Sequence, residues 1–182
     1  MKKRKKITKT PLFIISCVAL AFVLIGLPVW NIFIRINALE IISIGDGTCY
    51  VNSIGTFRDK ILEIPTESRL GETVIGIEEG AFLECTDITE VIVPDTVTMI
   101  RTFAFDRCTS LKKATLSQSM TSIEDYVFAD CSSLTTVILP KDLLSIGTGA
   151  FYGCRSLVAI SLPYGLKSIG DSAFFRCTSL TS

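Results

Sequence analysis

From Ile77 onward the chain is written on a 23-residue period, and that period restricts it to folds made by stacking one coil on the next. Cysteine recurs at Cys85, Cys108, Cys131, Cys154 and Cys177, phenylalanine at Phe82, Phe105, Phe128, Phe151 and Phe174, and isoleucine at Ile77, Ile100, Ile123, Ile146 and Ile169. Such a period marks a solenoid, in which each repeat buries its apolar side only against its neighbours. Within one repeat, Val137 and Leu139 alternate with Thr136 and Ile138, the period-2 pattern of a short strand with one face inward, and Pro140 ends it. Ile146, Ala150, Phe151 and Cys154 then fall at helix-like spacing, enough for one or two turns of α- or 3₁₀-helix. The expected fold is therefore an α/β solenoid, with a short-stranded parallel sheet on the concave side and short helical turns on the convex side.

The units Leu134–Leu157, containing ILPKDLLSIGTGAFYGCRSL, and Leu157–Leu180, containing ISLPYGLKSIGDSAFFRCTSL, resemble the BspA-like class of leucine-rich repeats, whose unit reads roughly LxxLxLPxxLxxIGxxAFxxCxxL. Two earlier units depart from it: Arg101 and Glu124 stand where Gly147 and Gly170 do, and Ser117 replaces the proline. These departures sit at turns and leave the buried lanes intact. The resemblance covers about residues 40 to 182. It implies an extracellular or cell-surface protein of binding and adhesion.

The charge is divided along the chain. Residues 1–10 carry six basic groups (Lys2, Lys3, Arg4, Lys5, Lys6, Lys9) and no acid, whereas residues 36–182 carry 11 basic and 18 acidic groups, a net −7. Between them, Leu12 to Trp30 is a 19-residue run broken only by Ser16, Gly26 and Pro28. A helix of that length spans about 28 Å, close to the hydrocarbon thickness of a bilayer. The basic cluster places the N-terminus in the cytoplasm by the positive-inside rule, and Trp30 with Arg35 suits the opposite interface. The expected organisation is a cytoplasmic basic segment (1–10), a transmembrane signal anchor (11–35), an N-terminal cap (36–76) and an extracellular solenoid (77–182), in a single-pass protein of the cell membrane. A cleavable signal peptide shares the basic start and apolar run, but its core is usually about 7 to 15 residues before small residues at the cut. Here the run is longer and leads into Asn31-Ile32-Phe33-Ile34-Arg35, which favours an uncleaved anchor.

In the cap, Ile41–Ile44 and Cys49–Ile54 read as strands around Gly45-Asp46-Gly47-Thr48, a hairpin signal. Ile61 to Pro65 reads as an early coil strand, but Pro65 precedes Pro94 by 29 residues, so six extra residues fall around Thr66–Thr73. An irregular hairpin and a lengthened coil would cover the first open coil, and Arg69-Leu70-Gly71-Glu72 is the alternative, a binding loop. One cysteine per coil at a single lane places each thiol in the core as a small apolar group, and parallel inward side chains disfavour disulfides.

The composition argues against catalysis. The chain has no histidine, no GxSxG elbow, no P-loop and no dinucleotide fingerprint, so neither an enzyme nor a metal or cofactor site is expected. Ser110, Ser133, Ser156 and Ser179 recur two residues after a lane cysteine and read as turn residues. With Val91, Val93, Ala114, Leu116, Val137, Leu139, Ile160 and Leu162 inward, the concave face presents two outward lanes: Glu90, Lys113, Thr136, Ala159 and Ile92, Thr115, Ile138, Ser161. This nearly neutral surface suits a protein or other macromolecular ligand rather than nucleic acid, or else it is simply solvated. A structural role, in which copies self-associate or scaffold a membrane complex, is the alternative function. The strand expected from Ala159 to Pro163 would be an unpaired edge beside Ile160, Leu162, Ile169 and Phe174, so the C-terminal coil is a candidate for self-association.

Overall fold

The computed structural model describes residues 39–55 and 57–181. The expected basic segment and transmembrane anchor lie outside the described residues, among which no helix is long and apolar enough to cross a membrane. The strands are β1 (Glu40–Ser43), β2 (Thr48–Ser53), β3 (Ile61–Glu63), β4 (Thr73–Ile77), β5 (Glu90–Ile92), β6 (Met99–Ile100), β7 (Lys113–Thr115), β8 (Ser122–Ile123), β9 (Thr136–Ile138), β10 (Ser145–Ile146) and β11 (Ser168–Ile169). β3, β5, β7 and β9 form a parallel sheet, the one expected on the concave side, in which Leu62, Val91, Ala114 and Val137 stand opposite one another and point inward. A second row of short strands returns along the other flank: β4 pairs with β6, and β8, β10 and β11 pair in order. Where that row breaks, between β6 and β8, Glu124 holds the position taken by Gly147 and Gly170 in the following coils. Its carboxylate accepts hydrogen bonds from the N–H and Oγ1 of Thr102.

The expected convex helix is absent: no helix occurs among the described residues, and each coil instead makes a run of turns, as at residues 79–84, 102–107 and 125–130. The reason is dimensional. An α-helix with its side chains is about 10 Å across, whereas paired strands are about 4.8 Å apart. Coils laddered at strand spacing have no room for stacked helices. The turns form a thin ribbon whose N–H groups alternate in direction. Ala104 and Asp106 donate back within their own coil to Arg101 and Phe103, while Phe103, Phe105 and Arg107 donate to Asp125, Val127 and Ala129 of the next coil. The alternation requires left-handed backbone at two places per coil. Gly80 and Gly149 supply the first without cost, but Phe103, Tyr126 and Ser172 adopt it too, as do Glu84, Arg107, Asp130 and Arg176 at the second. Each such non-glycine residue costs about 1–2 kcal/mol, offset by the intercoil hydrogen bonds it allows. Ile146, Ala150, Phe151 and Cys154 are still all buried, so the lanes were correctly placed although the backbone is not helical.

Inside, Phe82, Phe105, Phe128, Phe151 and Phe174 form one column, with successive centroids 5.0, 5.4, 5.6 and 5.4 Å apart and rings nearly parallel. Ser117, in place of the proline, is buried, and its hydroxyl accepts the N–H of Ser119. The expected hairpin forms: β1 pairs antiparallel with β2, and β2 pairs parallel with β4. It is fastened to the coils by Tyr50, whose ring packs against Gly76, where a Cβ would stand 2.2 Å from Cε1. The Arg101 guanidinium sits 5.5 Å above that ring.

The terminal lanes differ from expectation. Residues 159–163 form no strand, and the first sheet ends at β9. β11 of the same coil still pairs with β10, but at residues 159–163 Leu162 is exposed and Ile160 half-buried, so little apolar burial holds that segment in register.

Gly147 and Gly170 are the positions where one coil backbone touches the next. A Cβ at Gly147 would lie 2.6 Å from the carbonyl carbon of Glu124, and one at Gly170 would lie 2.5 Å from the nitrogen of Thr148. Gly147→Ala and Gly170→Ala should each lower stability by about 1–3 kcal/mol, since the obstruction is backbone. Gly165→Ala, facing open space, should stay within about 0.5 kcal/mol. Urea denaturation of the three variants checks this, and a Gly147→Ala protein as stable as the parent would contradict the close coil contact.

Candidate functional site

Three parallel strands hold six of the eight residues expected on the binding face in one plane. Strand alternation turns Glu90 and Ile92, Lys113 and Thr115, and Thr136 and Ile138 outward, while Val91, Ala114 and Val137 are buried beneath them. The in-register ladder sets Glu90 opposite Lys113 opposite Thr136, and Ile92 opposite Thr115 opposite Ile138. Ala159 and Ser161 are not part of this ladder: both are exposed, but they lie in the segment 159–163, which forms no strand. The structure adds Ile61 and Glu63 on β3, whose partners across the ladder are Glu90 and Ile92. The signal for them was present in the sequence, because Leu62 and Ile64 alternate with them before Pro65.

Two of the three charges on this face, Glu90 and Lys113, pair with each other, and Glu63 is the third. Lys113 Nζ lies 2.7 Å from Glu90 Oε1, a partly exposed pair that contributes little to stability but leaves neither group seeking a counterion. Ile61, Ile92 and Ile138 remain exposed at 39%, 36% and 45%, Ile92 and Ile138 being separated in their lane by the short side chain of Thr115 and Ile61 standing opposite Glu90. Such a face can cover a partner's apolar surface. On the opposite flank a shallow groove is lined by Ser122, Ser145, Ser168, Glu124, Asp125 and Thr148. Its carboxylates are engaged with backbone, Asp125 Oδ1 accepting the N–H of Thr148 at 2.6 Å. No group of three or more His, Cys, Asp or Glu residues among the described residues could hold a metal ion.

The lane cysteines are free thiols. Cys108, Cys131, Cys154 and Cys177 are buried, and each donates its S–H to the carbonyl of the phenylalanine one coil back, Phe82, Phe105, Phe128 and Phe151, at 3.1 to 3.2 Å. Those carbonyls also accept the N–H of Cys85, Cys108, Cys131 and Cys154, so the sulfur uses the remaining lone pair. Ser110, Ser133, Ser156 and Ser179 lie in the short turns that follow. Burial pushes the Cys85 thiol up to about 12 and raises Cys131 as well, which keeps both protonated. Because all three are fully buried, alkylation with iodoacetamide should leave Cys108, Cys131 and Cys154 unmodified in the native protein and modify them fully after denaturation. Mass spectrometry that finds disulfides between successive lane cysteines would contradict this arrangement.

Two solved structures of bacterial proteins share this architecture. A leucine-rich repeat protein from T. pallidum superposes with a TM-score of 0.74 at 28% identity, over 80% of this chain and 67% of its own. One from Bacteroides ovatus gives 0.72 at 32% identity, over 79% of this chain but 38% of its own, so the sequence spans about two-fifths of that relative. No curated protein is similar to the sequence. A profile described as "BspA type Leucine rich repeat region" matches six copies over residues 55–181, beginning before the strict 23-residue period and taking in β3. With repeats matched over most of its length and the stacked coils observed, the chain belongs to the BspA-type leucine-rich repeat family.

Proposed function

We propose that this protein displays its solenoid at the cell surface, held by a membrane anchor at residues 11–35, and works there by binding another protein through the sheet of β3, β5, β7 and β9. The observation that carries this reading is the character of that sheet. It is a four-stranded face whose central charges, Glu90 and Lys113, are paired with each other, and which exposes Ile61, Ile92 and Ile138 beside the single further charge of Glu63. Exposed isoleucines on a rigid ladder are costly to leave in water and suit a partner's apolar surface. The family supports the class of function, because repeat solenoids present extended surfaces for macromolecular contact. The basic segment followed by 19 mainly apolar residues supports the location. No catalytic step is assigned to it.

A second reading has its own observation. In the last described coil Leu162, Ile169 and Phe175 are exposed at 41%, 47% and 55%, which favours association between copies through that coil. Capture by the full chain recovered from membranes separates the two readings. Ile92→Glu with Ile138→Glu should abolish capture of a foreign protein while leaving circular dichroism and melting temperature unchanged. Recovery of the chain itself alone, unaffected by that pair, would favour the second reading. The anchor predicts that recovered protein retains Met1 to Trp30; N-terminal sequencing that starts at or beyond Asn31 would contradict it.

A further inference from the structure

The irregular first coil carries a feature that neither the repeat nor the flat sheet uses. Six residues more than the period requires fall between β3 and β4, and they form a tightly bonded loop. Ser68 N–H donates to Glu72 O at 2.7 Å and Gly71 N–H to Ser68 O at 3.0 Å. Ser68 Oγ accepts the N–H groups of Leu70 and Glu72 and donates to Glu72 Oε2. The other carboxylate oxygen of Glu72 accepts from Ser43 Oγ, and Thr73 N–H donates to Gly47 O, so the loop is joined to the tip of the β1–β2 hairpin. A loop fixed this thoroughly still holds Leu70 at 74% exposure, with Ile44 on the joined hairpin tip at 49%. A floppy loop would let a leucine fold back; this one presents it.

Charge identifies what the tips could receive. Residues 39–87, which include both tips, carry ten acidic and three basic side chains, a net −7, whereas residues 88–181 carry eight of each. The negative excess of the described chain falls within residues 39–87, and the tips themselves carry three acids, Asp46, Glu67 and Glu72, against one cation, Arg69. An anionic lipid surface or a nucleic acid would be repelled there.

We infer that the joined tips form a second docking surface, distinct from the flat sheet, for a basic segment of a partner protein that carries an apolar residue. The lysines or arginines of that segment meet the acidic surround, and its apolar residue covers Leu70 and Ile44. Preorganisation of the loop removes the ordering cost that a flexible loop would meet on binding.

The probe is the fluorescently labelled peptide Lys-Lys-Leu-Lys-Lys, titrated by anisotropy against the full chain in detergent micelles, with empty micelles as the blank. It should bind, weaken with added NaCl, and bind about tenfold more tightly than Lys-Lys-Ser-Lys-Lys. Leu70→Ser combined with Ile44→Ser should remove that tenfold preference for leucine, and Leu70→Met should retain it. Both positions are exposed, so unchanged melting curves are expected for all variants. Ile92→Glu with Ile138→Glu should leave peptide binding unaltered, which separates this surface from the sheet. Absence of binding, or a leucine preference that survives loss of Leu70 and Ile44, would overturn the inference.

Discussion

The spacing between coils governs this molecule. Two rows of parallel strands on opposite flanks hold successive coils at ladder distance, and every other part of the repeat must fit within it. That spacing sets the phenylalanine rings face to face at 5.0 to 5.6 Å and brings each lane thiol within 3.1 to 3.2 Å of the carbonyl one coil back. It forces the convex segment into a ribbon whose N–H groups alternate between its own coil and the next. It also makes Gly147 and Gly170 contact points between backbones, where no other residue fits without displacement.

A structure held in this way has no single centre. Each coil contributes one ring, one thiol, one isoleucine and a set of intercoil hydrogen bonds. An aromatic pair adds about 0.5–1.5 kcal/mol beyond its buried area, and a net hydrogen bond about the same. Stability is therefore close to a sum over interfaces between neighbours. The strained residues fit the same scheme. Phe103 and Tyr126 adopt left-handed backbone, yet their N–H groups reach the next coil and their rings stack at 5.2 Å, so the local cost is met by contacts between coils.

The lanes were legible in the sequence because burial repeats with the period. Phe105, Cys108, Ile123 and Leu134 are all inside, as their recurrence required. The hairpin was legible from Gly45-Asp46-Gly47 and the first coil strand from its proline. The ribbon was not. Ile146, Ala150, Phe151 and Cys154 satisfy helical spacing and ribbon spacing equally well, and only the width of a helix against the pitch of the coils decides between them. Left-handed backbone at Arg107 or Asp130 gives no signal in residue type, since glycine occurs at that position only in Gly153. Of the candidate site, the six residues on β5, β7 and β9 stand on strands as alternation required, whereas Ala159 and Ser161 lie outside any strand because lane position does not guarantee a hydrogen-bonded one.

Two surfaces of different character result: an isoleucine-bearing sheet with few charges, and an acidic, leucine-tipped loop on the irregular first coil. Both are rigid for the same reason, that their backbones are bonded to neighbouring segments. Amide hydrogen exchange tests that common basis most directly. Phe105, Phe128 and Phe151 donate to Val127, Ala150 and Ala173 of the following coil. If intercoil bonding through the ribbon holds the solenoid together, these amides should exchange as slowly as those of β5 and β7. Exchange at the rate of the exposed turns, with the strands alone protected, would contradict it.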